Sequence, residues 1–172
     1  KLSSNFAGNK GKLPWPVEQG NISSSFGEHP HAELKGIMIK NNGVDIRSTA
    51  NSKARSVFDG EVTGVITIPG ANSAVIIRHG EYLSVYSNLE SVFVKKGDKV
   101  TTRQHIGKVY TDTEEGVTEL HLEIWKGTVK LDPAGWLATR HPQWLLGFGT
   151  PPGSDQPPAT HWPKGWDKLF NL

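Results

Sequence analysis

The sequence predicts an all-β domain, a sandwich built from antiparallel sheet. Three observations carry that expectation. Apolar residues come in short runs of strand length, and no stretch of ten or more residues keeps a helical period. Gly- and Pro-containing turn signals separate the runs at close spacing, as in sandwiches and barrels. The segment Glu119-Leu-His-Leu-Glu-Ile-Trp125 alternates polar and apolar residues strictly, the pattern of a half-buried strand.

Taken in order, residues 1–21, through Pro14-Trp15-Pro16, read as an extended lead-in strap. Val57 to Ile66 is a strand punctuated by Gly60 and Gly64, and Pro69-Gly70 turns the chain into Ala74–Arg78. A turn at His79-Gly80-Glu81 leads to Tyr82–Tyr86, then to Val92–Val94, the turn Lys96-Gly97-Asp98 and a strand from Ile106 to Tyr110. The domain proper spans 22–138. Residues 139–172 hold six of the eleven prolines and three of the six tryptophans, without period. They are expected to form an irregular C-terminal tail, either a strap packed on the surface or an appended extension.

The composition narrows the function classes. Nineteen basic residues against seventeen acidic ones give a formal charge of +2, without the concentrated basic surface of a nucleic-acid protein. With no cysteine there is no disulfide framework, no thiolate metal site and no thiol nucleophile. No apolar run approaches the roughly 20 residues of a membrane span, and Lys1-Leu2-Ser3-Ser4 is not a secretory signal. The seven histidines become the first place to look for chemistry.

Three polar clusters stand out. On the strand at 119–125, Glu119, His121 and Glu123 share one face, and Leu120, Leu122 and Ile124 the other. Three ionisable groups in a row suit a polar groove, and equally a solvated edge. Asn41 and Asp45 flank the turn signal Asn42-Gly43. Tyr86-Ser87-Asn88-Leu89 ends a strand.

In their order these segments resemble the LytM or lysostaphin-like zinc peptidases. Asn41-x-Gly43-x-Asp45-Ile46 is similar to the family's His-x-Gly-x-Asp-Ile, and Phe26-Gly27-x-His29-Pro30 to its opening. Phe58-Asp59-Gly60-Glu61-Val62, Val75–Gly80 and Val85–Leu89 follow in family order. So do Val94–Val100 and Ile106-Gly107, and Glu119–Ile124 stands where the family has His-Leu-His-Phe-Glu-Ile, with Asp132-Pro133 behind it. The resemblance runs over roughly 22–138. It implies a LytM-type antiparallel β-sandwich of the duplicated hybrid motif kind, with a groove.

The departures bear on function. The positions that resemble the family's zinc ligands hold Asn41, Asp45 and His121, and those of its two auxiliary histidines hold Asn88 and Glu119. Catalytic zinc takes three protein ligands and a water, and Asn can neither take nor give a proton near neutral pH. The resemblance therefore implies no catalytic residue, no bound metal and no cofactor, with zinc only at a re-wired Asp45–Glu119–His121 site. His29 and His31 lie near the opening motif; His79 reads as structural, and His105, His141 and His161 match no ligand position.

Within the family the chain most resembles the EnvC-like murein hydrolase activators, through Lys10–Val17, Phe26-Gly27 and Leu34–Ile37. That group implies a periplasmic, cell-envelope location in a Gram-negative bacterium. It also implies a peptidoglycan amidase as partner, its inhibitory helix drawn into the groove, and division-complex membrane proteins reached through an upstream coiled coil. Peptidoglycan is a further expected ligand, and nucleic acid is not. The expected groove consists of Asn41, Asp45, Tyr86, Asn88, Glu119 and His121, flanked by Ile37, Ile39, Ile66, Ile68 and Tyr110.

Overall fold

A computed structural model describes residues 1–67, 69 and 72–139. Ile68 and the tail from Arg140, with His141 and His161, lie outside the described residues. The strands are β1 (Asn21–Ser24), β2 (Gly27–Pro30), β3 (Met38–Asn41), β4 (Val44–Ser48), β5 (Lys53–Arg55), β6 (Gly60–Ile66) and β7 (Ser73–His79). They continue as β8 (Tyr82–Val92), β9 (Lys99–Val100), β10 (His105–Val109), β11 (Thr111–Asp112), β12 (Val117–Lys126) and β13 (Val129–Leu131). One sheet runs β1-β4-β12-β8-β7-β6-β9, with β5, β10, β11 and β13 attached at its margins; β2 and β3 form a separate hairpin. Every strand ladder is antiparallel. The all-β expectation holds, and none of the described helices is long and apolar enough to cross a membrane.

The period of 2 decides what is inside. On β12, Thr118, Leu120, Leu122 and Ile124 are buried, while Glu119, His121, Glu123 and Trp125 face outward and are half-buried. Val44 and Ile46 of β4 and Val75 and Ile77 of β7 join the same inner layer. Ala54, Ile106 and Val109 from β5 and β10 close over it, because β10 pairs both with β5 and with the far end of β8. The chain from Lys1 to Ala138 makes one compact unit.

The lead-in is not the extended strap expected of residues 1–21. Leu2–Gly8 forms a short helix, α1, and Phe6, Leu13 and Val17 are fully buried. Phe6 stacks on His79, Tyr82 and Trp136 with ring centroids 4.7, 4.8 and 5.1 Å apart. Seven residues are too few to show a helical period, so the contact that orders them comes from β7 and β8 rather than from local pattern. Trp15 Nε1 donates to the Ala138 carbonyl at 2.7 Å, which ties the two ends of the domain together.

Tyr86, expected in the groove, belongs to the core. It is fully buried, its hydroxyl accepts from Val57 N–H at 2.9 Å, and it lies 2.9 Å from Ser84 Oγ. The reason is register. On β8, Tyr82, Ser84 and Tyr86 take the inward phase, so Leu83, Val85 and Ser87 take the outward one. Ser84 in turn meets Nε2 of the fully buried His79 at 2.7 Å, and His79 Nδ1 lies 2.7 Å from the Asp59 carbonyl. A carbonyl accepts only, so Nδ1 carries the proton and Nε2 accepts from Ser84. His79 is structural, in keeping with the sequence expectation.

Candidate functional site

The outward residues of three neighbouring strands meet at the middle of the sheet. Register sets Asp45 of β4 opposite His121 of β12, and His121 opposite Ser87 of β8; one step on, Arg47 faces Glu119. Asp45 and His121 are therefore brought together across 76 residues of sequence, as the two polar motifs require.

His121 is held from both sides. Its Nδ1 donates to Asp45 Oδ1 at 2.8 Å and its Nε2 to Glu123 Oε2 at 2.7 Å. The other oxygen of Glu123 accepts from Trp125 Nε1 at 2.8 Å, so both carboxylate oxygens are engaged. Burial pulls the imidazole down, but hydrogen bonds to Asp45 and Glu123 and the charges of both carboxylates outweigh it, raising His121 to about 9. The His121 hydrogen bond holds Glu123 below the usual carboxylate range, against burial. At neutral pH this is an imidazolium clamped between two carboxylates, a charge-assisted pair of hydrogen bonds with no ring lone pair left over.

Asn41 is buried, and its amide orientation follows from its partners. Oδ1 accepts from Gly43 N–H at 3.1 Å, closing a turn. Nδ2 then donates to Asp45 Oδ2 and to Ser24 Oγ, each at 3.2 Å. Thus Asn41 presents a donor, not a lone pair, to Asp45. Gly43 has no room for a side chain: a Cβ there would lie 2.0 Å from the Leu122 carbonyl oxygen. Gly43→Ala is expected to push β4 off β12 and to cost about 2 kcal/mol. Urea denaturation checks this, and an unchanged midpoint would refute the close approach.

Asn88 and Glu119 are both turned to structural bonds. Asn88 sits at φ 70°, a left-handed conformation that Asn tolerates better than most residues. Its Nδ2 donates to the Glu119 carbonyl at 2.6 Å and its Oδ1 accepts from Asn72 at 2.6 Å, bridging β12 to the end of the β6–β7 hairpin. Glu119 pairs with Arg47 at 3.3 Å, both partly exposed. The re-wired trio of Asp45, Glu119 and His121 is therefore not what forms; Glu123 takes the place of Glu119. Sequence reasoning set Glu123 on the right face and gave it no role. Among the described residues, no group of three or more His, Cys, Asp or Glu side chains is placed to hold a metal ion.

The flanks divide. Ile37 and Met38, with Leu34 at the turn before them, are about half or more exposed where the β2–β3 hairpin folds back, while Ile39 is half-buried. Ile66 is 46% exposed at the end of β6, and half-buried Tyr110 donates its N–H to the Asn88 carbonyl at 2.9 Å. Between them the outer sheet face carries a half-buried apolar strip of Ala74, Ile76, Leu83 and Val85 beside the charged centre. His29 Nε2 lies 3.4 Å from Ser24 Oγ, one residue removed from the Asn41–Asp45 cluster. His31 caps the hairpin turn by accepting from Leu34 N–H at 2.9 Å.

Residues 39–133 match the model of peptidase family M23. The chain is 31% identical over 136 residues to the cell division protein DipM of Caulobacter vibrioides, covering 74% of this chain and 21% of DipM. It is 32% identical over 112 residues to the peptidoglycan DD-endopeptidase ShyA of Vibrio cholerae, covering 64% and 26%. With the murein hydrolase activator NlpD of Escherichia coli it shares 28% identity over 128 residues, 73% of this chain and 31% of NlpD. The chain thus spans about a fifth to a third of the length of these relatives. Among solved structures, Helicobacter pylori Csd3 superposes at a TM-score of 0.61 and 29% identity, over 79% of this chain and 38% of that one. A zinc-containing peptidase from Vibrio cholerae superposes at 0.60 and 26%, over 73% and 40%. With the family model matching more than half of its length and the motifs lying where the sheet assembles them, the chain belongs to peptidase family M23.

Proposed function

We propose that this M23 domain is a non-catalytic regulator that binds and activates a peptidoglycan (N-acetylmuramoyl-L-alanine) amidase, through the outer sheet face that in a peptidase would carry the metal. The observation that carries the reading is the clamp on His121. Asp45 and His121, the two retained ligand positions, are joined to each other through a proton, and the third position offers the Asn41 amide N–H. Zinc needs deprotonated donors converging on one point, and these residues do not fit it. Asn88 is bonded into the sheet and Glu119 into the Arg47 pair, so neither of these two positions offers a free base over the site.

A polar centre bordered by the apolar strip of Ala74, Ile76, Leu83 and Val85 suits an amphipathic helix laid in a groove. In this reading the occupant is the amidase's own inhibitory helix, and binding shifts the amidase toward its open state by as much as the differential affinity allows. The names of the relatives, a cell division protein and a murein hydrolase activator, support a role in wall remodelling at division, in the periplasm of a Gram-negative bacterium. The wider protein would reach its division complex through a segment preceding this domain.

The test is dye release from labelled murein sacculi with a cognate amidase. The domain is expected to release nothing alone and to raise release by the amidase. Hydrolysis by the domain alone, abolished by a chelator, would overturn the reading in favour of an endopeptidase. Sedimentation with sacculi without any effect on the amidase would overturn it in favour of a passive wall-binding module.

A further inference from the structure

Away from the clamp, past the end of β4, Glu18, Thr49, Asn51, Lys53, Arg55 and His105 line a half-open pocket of about 260 Å³. Its basic wall is the β5–β10 ribbon. There Lys53 stands opposite Lys108, and Arg55 opposite His105. Like charges directly across a ladder, here Lys53 and Lys108, destabilise it; Lys108 pairs with Glu90 at 2.9 Å, and the charge of Glu18 acts on Arg55. Arg103, outside the pocket lining, adds a further cation close enough to act on Arg55. Burial and the charge of Arg103 lower the Arg55 guanidinium, while Glu18 raises it.

The wall is pre-organised. Arg55 Nε donates to the Trp15 carbonyl at 2.8 Å, which fixes the guanidinium without help from a ligand. The opposite rim, Thr49 to Ser52, is a turn closed by Ser52 Oγ, which donates to the Thr49 carbonyl and lies 2.6 Å from Ser48 Oγ. Asn51 sits in it at φ 66°. A fixed guanidinium beside a lysine and a histidine, in a half-open pocket, is the donor set that carboxylate and phosphate groups take. Glu18 at the edge repels a simple anion and so sets a limit on its affinity.

We propose that this pocket is a binding site for the oxyanion group, carboxylate or phosphate, of a small ligand. The proposal is independent of the amidase reading, since none of its residues belongs to the clamp.

The experiment is a titration of the full chain, followed by ¹H–¹⁵N NMR at constant ionic strength, with inorganic phosphate in one arm and acetate in the other. Saturable shifts confined to the amides of 49–55 and 105 are expected in at least one arm, and the arm that saturates identifies the group. Lys53→Ala, at an exposed position, is expected to weaken binding roughly fivefold, and Glu18→Gln to strengthen it by a similar factor. Thermal melts of both variants confirm that they are folded. Shifts that stay linear in both arms, or a midpoint that neither variant moves, would overturn the assignment.

Discussion

Acidification from pH 7 to 4 is expected to strip about 3 kcal/mol from the stability of this domain through one residue, His79. Burial lowers its imidazole to about 4, against the hydrogen bond to the Asp59 carbonyl and the charge of Asp59, which raise it. An unfolded chain takes up the proton near 6.5, while the folded one refuses it until about 4. Within that window the unfolded state binds more protons, so stability rises with pH and its full value is present only above 6.5. The cause is local. His79 is fully buried, pressed against Phe6 of α1, and its Nε2 is already the acceptor of the Ser84 hydroxyl. A second proton would bury a charge against an aromatic ring and reverse that bond. His121 has the opposite sign. Its pKa is raised to about 9, so its contribution is complete below 6.5 and is lost as pH rises toward 9. Glu123, depressed, withdraws its contribution only below its ordinary 4.5. Stability is therefore expected to peak near neutral pH, with the slope from 6.5 to about 5 set by His79. Urea midpoints across pH measure this, and His79→Gln is expected to flatten the acid limb while leaving the alkaline one. An acid limb that survives in His79→Gln would assign it to other groups.

Much of the fold was legible because β12 states its own geometry: strict alternation from Glu119 to Trp125 sorts core from surface with no other information. The pairing of Asp45 with His121 was legible only through motif order, since nothing local to either segment reveals a partner 76 residues away. Tyr86 misled because its strand buries Ser84 as well as Tyr86, and a hydrophobic pattern has no place for an inward serine. The core accepts both because His79, Ser84, Tyr86 and Val57 N–H satisfy one another in a chain. The short helix α1 was illegible for a different reason. Its order depends on the stack of Phe6 with His79, Tyr82 and Trp136, which exists only once β7, β8 and the end of the domain have come together. Glu123 was visible on the correct face, but its role depends on the rotation of the His121 ring, and no sequence spacing encodes a ring orientation. Asn88 is similar, because its part in bridging Asn72 to β12 follows from a left-handed backbone.

His121→Ala is expected to cost about 3 kcal/mol in metal-free buffer and to abolish the proposed amidase activation. The side chain is 25% exposed and its partners Asp45 and Glu123 are 27% and 17% exposed, so the clamp is partly desolvated. Removing the imidazolium leaves two facing carboxylates in that setting, with the Asn41 and Trp125 N–H donors as their remaining named partners. Uncompensated charge, rather than lost packing, makes the change expensive. Two consequences separate this from a metal centre. A zinc site loses stability when a chelator removes the metal, and the chelated protein then responds little to loss of a ligand; the clamp predicts that a chelator does nothing and that His121→Ala is costly with or without it. Charge relief provides the second. Asp45→Asn on the His121→Ala background removes one of the stranded carboxylates, so the double variant is expected to be no less stable than His121→Ala alone, with a coupling that a double-mutant cycle resolves. Additive losses in that cycle would mean that Asp45 and His121 act apart and that no clamp exists. Because Ala74, Ile76, Leu83 and Val85 keep their places on the neighbouring strands, a folded His121→Ala protein that still binds the amidase but no longer activates it would assign affinity to the apolar strip and activation to the charged centre.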